Sequence, residues 1–132
     1  MCPVCRQPMV GFEFEGVEID RCLECGGTWL DAGELEMLTE RAGVPSGELG
    51  AALQGTAAGR RTGRRCPCCP RKLREIRIGP EPSVVVDRCP WGQGLWFDRG
   101  EVKAVIRWFA TGQEGVVARF FAEFQSGGRP SI

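Results

Sequence analysis

Fourteen residues near one end of this chain are answered, without a gap, by fourteen near the other. Arg21 to Glu34 reads RCLECGGTWLDAGE, and Arg88 to Glu101 reads RCPWGQGLWFDRGE. Cys22 falls on Cys89, Trp29 on Trp96, Asp31 on Asp98, Gly33 on Gly100 and Glu34 on Glu101. A cysteine cluster precedes each stretch, Cys2-Pro3-Val4-Cys5 before the first and Cys66-Pro67-Cys68-Cys69 before the second. Such a repeat decides the architecture before any local propensity is weighed: whatever the first copy folds into, the chain has two of them.

The first copy reads C-x2-C, sixteen residues, C-x2-C, through Cys2, Cys5, Cys22 and Cys25. Thiolates at i and i+3 fit a tight turn that aims both sulfurs at one point. Two such turns supply the four corners of a closed structural zinc site. Gly26 and Gly27 let the backbone curl so that amides can face the sulfurs. In the second copy Gly92 stands where Cys25 stands. Cys66, Cys69 and Cys89 can supply three corners, while Cys68 is too close to Cys69 to join the same knuckle without distorting it. A structural zinc demands four protein ligands. One Zn2+ per chain is therefore expected, in the first cluster, and the second cluster is expected to be empty. Two ions are the alternative, with Cys68 or Asp87 as the missing ligand or with a weaker, exchanging three-thiolate site.

Modules of about 40 residues cannot bury enough apolar surface to fold alone and usually need a metal or disulfides. Eight cysteines meet that need. No charged-then-apolar leader precedes Cys2, and no apolar run has the length of a membrane span. The expected setting is cytoplasmic, without membrane contact, where thiols stay reduced and metal outranks disulfide. The chain has neither histidine nor tyrosine. Ser-His-Asp and Cys-His machinery is thereby excluded. With no vacancy in the four-thiolate set either, a non-catalytic protein is expected.

The pattern CPxC followed by CxxCGGxWLDxGEL resembles the transcription factor zinc-finger family, a TFIIB-type zinc ribbon. The resemblance runs through Cys2 to about Met37 and returns, with Gly92 out of pattern, from Cys66 to about Val105. It implies a zinc ribbon fold and zinc held by Cys2, Cys5, Cys22 and Cys25. The expected fold is a small metal-bound α+β chain of tandem ribbons, each with a β-hairpin, knuckles and a short helix. The expected divisions are a ribbon over 1–43, a flexible Gly/Ala/Arg linker over 44–65, a degenerate ribbon over 66–112, and an amphipathic helix and tail over 113–132.

Local patterns fill in this outline. Val10 to Asp20 alternates apolar and polar on both sides of Glu15-Gly16, which predicts a hairpin. Leu73 to Ile78 and Ser83 to Asp87 form the second hairpin, with three extra residues placed at its tip. Trp29 and Trp96 are expected to cap small cores. Asp31 with Glu34, and Asp98 with Glu101, have capping-box spacing at helix starts, which explains these carboxylates without acid–base chemistry. Val116, Val117, Phe120, Phe121 and Phe124 recur at helical spacing over 113–125.

Net charge is zero, but residues 1–59 carry ten acids against three arginines, a net −7, leaving +7 for the remainder. The excess gathers at Arg60, Arg61, Arg64, Arg65, Arg71 and Lys72, continuing to Arg74 and Arg77. Such a block fits phosphate contacts, attraction between the halves, or plain solvation. No phosphate loop or basic-aromatic motif accompanies it, so an unidentified protein partner is favoured over nucleic acid. A redox- or metal-responsive role is the third reading, with Cys66, Cys68, Cys69 and Cys89 activated by nearby arginines.

Overall fold

The computed structural model describes residues 1–44, 47, 49–50, 53, 59–78, 83–108, 122 and 129–130. The amphipathic helix expected over 113–125 lies outside the described residues, apart from Ala122, as do the hairpin tip at 79–82 and most of 45–58.

β1 (Val10–Phe14) and β2 (Val17–Arg21) are the first hairpin, paired from Val10 opposite Arg21 to Phe14 opposite Val17. Its two-residue turn has positive φ at Glu15 (50°) and Gly16 (79°), the turn that matches strand twist. β3 (Thr28–Asp31) leads into α1 (Glu34–Arg41). Then come β4 (Arg61–Arg65), β5 (Lys72–Ile78), β6 (Val84–Arg88), β7 (Gly94–Phe97) and α2 (Glu101–Trp108). β8 (Arg129–Pro130) is a two-residue strand. Ile78 faces Val84 as Phe14 faces Val17, so the three extra residues do fall at the hairpin tip.

Among the described residues eight strands join one antiparallel sheet in the order β4-β5-β6-β7-β3-β2-β1-β8. Exchange β1 with β5, β2 with β6, β3 with β7 and β4 with β8, and the same order is read from the other end. The centre of this symmetry is the β3–β7 pair, where Trp29 lies directly opposite Trp96. The outermost strands cross over: β4, which follows α1, pairs with β5, and β8, which follows α2, pairs with β1. The two halves are therefore one sheet, not two beads on a linker.

Successive strand residues point to opposite faces, and here the faces bury different chemistry. Leu30, Leu95 and Phe97 join Phe14, Val17, Ile19, Ile76 and Val86 on the helical face, under Leu35 and Leu38 of α1 and Val102, Val105 and Ile106 of α2. Trp29 and Trp96 point the other way, into a second core with Cys2, Cys22, Cys66, Cys89 and Leu73. Both tryptophans are within 1% of full burial. The two tryptophans share one core.

Two local expectations are corrected. The segment expected to be flexible over 44–65 ends in β4. Val44 and Leu49 are buried in the helical-face core. β4 has no apolar residues, so no hydrophobic signal marks it. Its anchors are polar: the Thr62 hydroxyl donates to the Leu73 carbonyl at 2.9 Å, and Arg64 Nη1 reaches Asp87 at 2.8 Å and Asp98 at 3.1 Å. Pairing there also covers the outer edge of β5, which would otherwise be open to other strands.

The capping box is half formed. The Asp31 amide donates to Glu34 Oε1 at 2.7 Å, and the Asp98 amide to Glu101 Oε1 at 2.7 Å. The N-cap of α1, however, is Gly33 at φ 87°, with no side-chain cap. Asp31 and Asp98 instead accept from the indole N–H groups of Trp29, at 2.8 Å, and Trp96, at 3.1 Å. A buried indole needs an acceptor, and the residue two positions on, on the same strand face, supplies it.

The two reaching glutamates carry a pH dependence. Burial, opposed by the Asp31 amide and aided by the charges of Asp31, Asp20 and Glu18, raises Glu34 to about 7. Burial likewise raises Glu101 to about 7, with the Asp98 amide and Arg64 opposing and Asp98 and Asp87 aiding. Between the unfolded value near 4.5 and about 7 the folded state holds more protons, so these groups lower stability as pH rises through that window. Glu34→Gln with Glu101→Gln keeps both acceptors and removes the titration. The stability difference between this variant and the parent is expected to shift in the variant's favour from pH 5.5 to 8, in denaturant midpoints at matched zinc. A difference independent of pH would refute it.

Candidate metal centres

Two turns carry the first centre. Val4 and Cys5 amides each donate to Cys2 Sγ at 3.3 Å, inside the turn whose Arg6 amide closes on the Cys2 carbonyl at 3.0 Å. In the other turn the Gly26 amide reaches the Cys22 carbonyl at 2.9 Å, with Gly26 at φ 75°. The ligand atoms of Cys2, Cys5, Cys22 and Cys25 all lie within 4.8 Å of one another. Cys2 and Cys25 Sγ are 3.8 Å apart. A Zn–S bond of about 2.3 Å makes the edge of a tetrahedron ~3.8 Å, so the spacing fits Zn2+ between them. The donor chemistry fits as well: soft thiolates, amides directed at sulfur, and two of the four cysteines buried.

The four thiols also act on one another. Burial, then the Cys25 and Cys22 thiols, push Cys5 up to about 12. At Cys22 burial also pushes upward, but donation from the backbone of Cys25 and Glu24 outweighs it and holds the thiol at about 7. Cys22 is thus readier to ionise than Cys5 or Cys25, which are raised.

The second centre holds Cys66, Cys69 and Cys89, again within 4.8 Å of one another, with Cys69 and Cys89 Sγ 3.6 Å apart. Amides of Cys68 and Trp91 donate to Cys66 Sγ and Cys89 Sγ, both at 3.4 Å. Burial raises Cys66 to about 12. Cys89 is lowered despite its burial, by donation from the Gln93 and Trp91 backbone, as Cys22 is at the same place in the first copy. Cys68 stands apart. It is exposed, and its Sγ lies 3.8 Å from Asp31 Oδ1 in the other half. Partial desolvation and then the Asp31 carboxylate raise its pKa. At Cys68 the direction is opposite to the expected activation by arginines.

At Gly92 the backbone leaves the knuckle path. The two loops begin and end alike, with the Cys22 amide on the Gly27 carbonyl at 3.0 Å and the Cys89 amide on the Gly94 carbonyl at 3.1 Å. Between them the turn closes early: the Gly92 amide reaches the Cys89 carbonyl at 3.0 Å, and Gly92 itself takes φ 74°. The left-handed residue follows the fourth cysteine in the first copy and replaces it in the second. A side chain there has room, with nothing within 4 Å, but left-handed backbone costs a non-glycine residue ~1–2 kcal/mol. Gly92→Cys is therefore expected to lower stability by about that amount and to create no second site matching the first in zinc affinity. Competition against a chromophoric chelator measures this, and two equally tight zincs would overturn it.

The basic residues have different local partners. Arg64 is held by Asp87 and Asp98, and Arg60 lies 3.3 Å from Glu75. The Arg71 guanidinium stacks 4.1 Å from the Trp91 ring centroid, and Lys72 Nζ reaches the Gly63 carbonyl at 3.5 Å. Arg61 and Arg65 are exposed on β4.

Two glycines organise the centre of the sheet: Gly27, which sequence reasoning credited only with turning the knuckle, and Gly94, which it passed over. A Cβ at Gly27 would collide with the Trp96 ring, and one at Gly94 with the Leu30 carbonyl and the Trp29 ring. Gly27 and Gly94 occupy the same place in the two copies, and each seats the tryptophan of the other. Their retention in both copies was the available signal.

Among the described residues no helix is long and apolar enough to cross a membrane. No curated protein and no solved structure matches this chain. Residues 1–41, which contain the closed four-thiolate cluster, match the transcription factor zinc-finger family, a zinc ribbon of TFIIB type.

Proposed function

We propose that this chain is a non-catalytic protein-interaction module: two zinc-ribbon copies, the second degenerate, fused on one sheet and stapled by zinc at Cys2, Cys5, Cys22 and Cys25. The observation that carries the reading is the closed first centre, whose four thiolates leave no coordination position for a substrate. The turns around the cysteines supply the contact surface. Leu23 is 67% exposed, Trp91 60% and Val4 43%, each at the tip of a cysteine turn. Large apolar side chains held out on tight cysteine turns suit protein contact. Arg71, stacked on Trp91, gives that anchor an aromatic–guanidinium character common in interface hot spots.

The test is affinity capture from native cell extract with and without nuclease, using the parent and a Leu23→Ser, Trp91→Ser variant. The expected result is capture of the same protein under both treatments, lost in the variant while its zinc content stays unchanged. Capture abolished by nuclease would favour nucleic acid, bound through Arg61, Arg65 and the exposed edge of β4. In that case the contact is to phosphate, and affinity falls with salt at a log–log slope near −0.9 per neutralised phosphate on duplex DNA.

A further inference from the structure

The second cysteine cluster is as tightly gathered as the first and lacks one corner. Three sulfurs, from Cys66, Cys69 and Cys89, lie within 4.8 Å of one another. Backbone amides face two of them, as they face sulfur in the first centre. The surroundings are apolar, with Trp96 and Leu73 packed in the same core. Among the described residues no fourth protein donor approaches. Gly92 has no side chain, Cys68 is turned to Asp31 at 3.8 Å, and Asp87 is held by Arg64 at 2.8 Å. The chain has no histidine.

We infer that Cys66, Cys69 and Cys89 form a second metal site of three thiolates, suited to a soft monovalent d10 ion, Cu(I), in preference to Zn2+. A closed zinc site takes four protein ligands, whereas soft thiolates select Cu(I), an ion satisfied by three. Binding forms three Cu–S bonds and releases the protons of the three thiols, with no change of oxidation state. The resulting centre has a charge of −2, and it lies near positive charge. A cleft of about 320 Å³ between the two N-terminal cysteine turns is lined by Cys66, Cys69, Arg6 and Arg65. The cleft, which Cys2 of the first centre also lines, is the entry path to the half-buried Cys69, with Cys66 and Cys89 buried behind it. The two centres then differ in kind: a closed zinc staple and an open site that loads and unloads.

The test uses the full chain, reduced and anaerobic, with one zinc already bound. Cu(I) is titrated in competition with bathocuproine disulfonate, and native mass spectrometry counts both metals. The expected product holds one zinc and one copper, and X-ray absorption at the copper edge counts three sulfurs. Cys89→Ser and Cys69→Ser are expected to keep the zinc and lose the copper, and Cys68→Ser to keep both. Four outcomes would each overturn the inference: copper entering only by expelling zinc, a second zinc retained in preference to copper, two or four sulfurs at copper, or uptake unaffected by Cys89→Ser. The sulfur count is made on the parent protein, so it decides the matter even if a serine variant fails to fold.

Discussion

Stripping zinc from the reduced protein is expected to unfold residues 1–44 and to loosen the second half with them. A structural zinc contributes roughly 10–16 kcal/mol of apparent binding free energy in small metal modules, and that binding energy is folding energy. The first half has little with which to replace it. Cys2 and Cys22 are themselves part of the core that buries Trp29. Once they are free, the two turns no longer fix where β3 begins, at Thr28. β3 also lies beside β7, with Trp29 opposite Trp96, so the damage crosses the centre of the sheet. A strong chelator with a thiol reductant should collapse amide dispersion throughout 1–44 and shift resonances of 94–97, and Cys22→Ser should do the same without chelator. An unchanged spectrum with zinc loss confirmed by mass would show that the metal is not structural.

A single methyl group at Gly94 is expected to have the next largest effect. The Cβ would overlap both the Leu30 carbonyl and the Trp29 ring. The backbone oxygen cannot rotate away, so the strands must separate. Overpacking typically costs about 1–3 kcal/mol and sometimes more. A strand displaced at this point also opens the contact around two tryptophans, whose full truncation costs ~3–5 kcal/mol each. Gly27→Ala should behave similarly, since its Cβ meets the Trp96 ring. Gly63→Ala, in β4 with nothing within 4 Å of the added atom, is the control and should change stability by less than about 0.5 kcal/mol. Urea midpoints of the three variants separate the cases. A loss below about 1 kcal/mol at both Gly94 and Gly27 would mean that the halves are not seated through these glycines.

The readings of charge meet at β4. Its arginines stood out in sequence as a candidate phosphate surface, a source of attraction between the halves, or a solvated linker. In the fold Arg64 bridges Asp87 of β6 and Asp98 after β7. That contact binds the outer strand to the middle of the sheet. No periodic apolar pattern could have announced it, because β4 joins the sheet through a hydroxyl and a guanidinium.

Other elements were legible because their causes are local. Two C-x2-C pairs aim four sulfurs at one point whatever surrounds them, and Glu15-Gly16 turns the first hairpin because both residues take positive φ. The internal repeat likewise announced two equal halves. Sequence by itself therefore determined the first metal cluster, the hairpins, helices α1 and α2 and the missing fourth thiolate at Gly92. Tertiary structure decided what no local pattern contains: that the halves share one sheet through Trp29 and Trp96, that β4 and β8 each cross to the opposite half, and that Asp31 serves an indole and not a helix end. The β3–β7 and β1–β8 pairings join residues more than 60 positions apart, β4 pairs with nearby β5 without an apolar pattern to announce it, and the role of Asp31 depends on which face of its strand is buried.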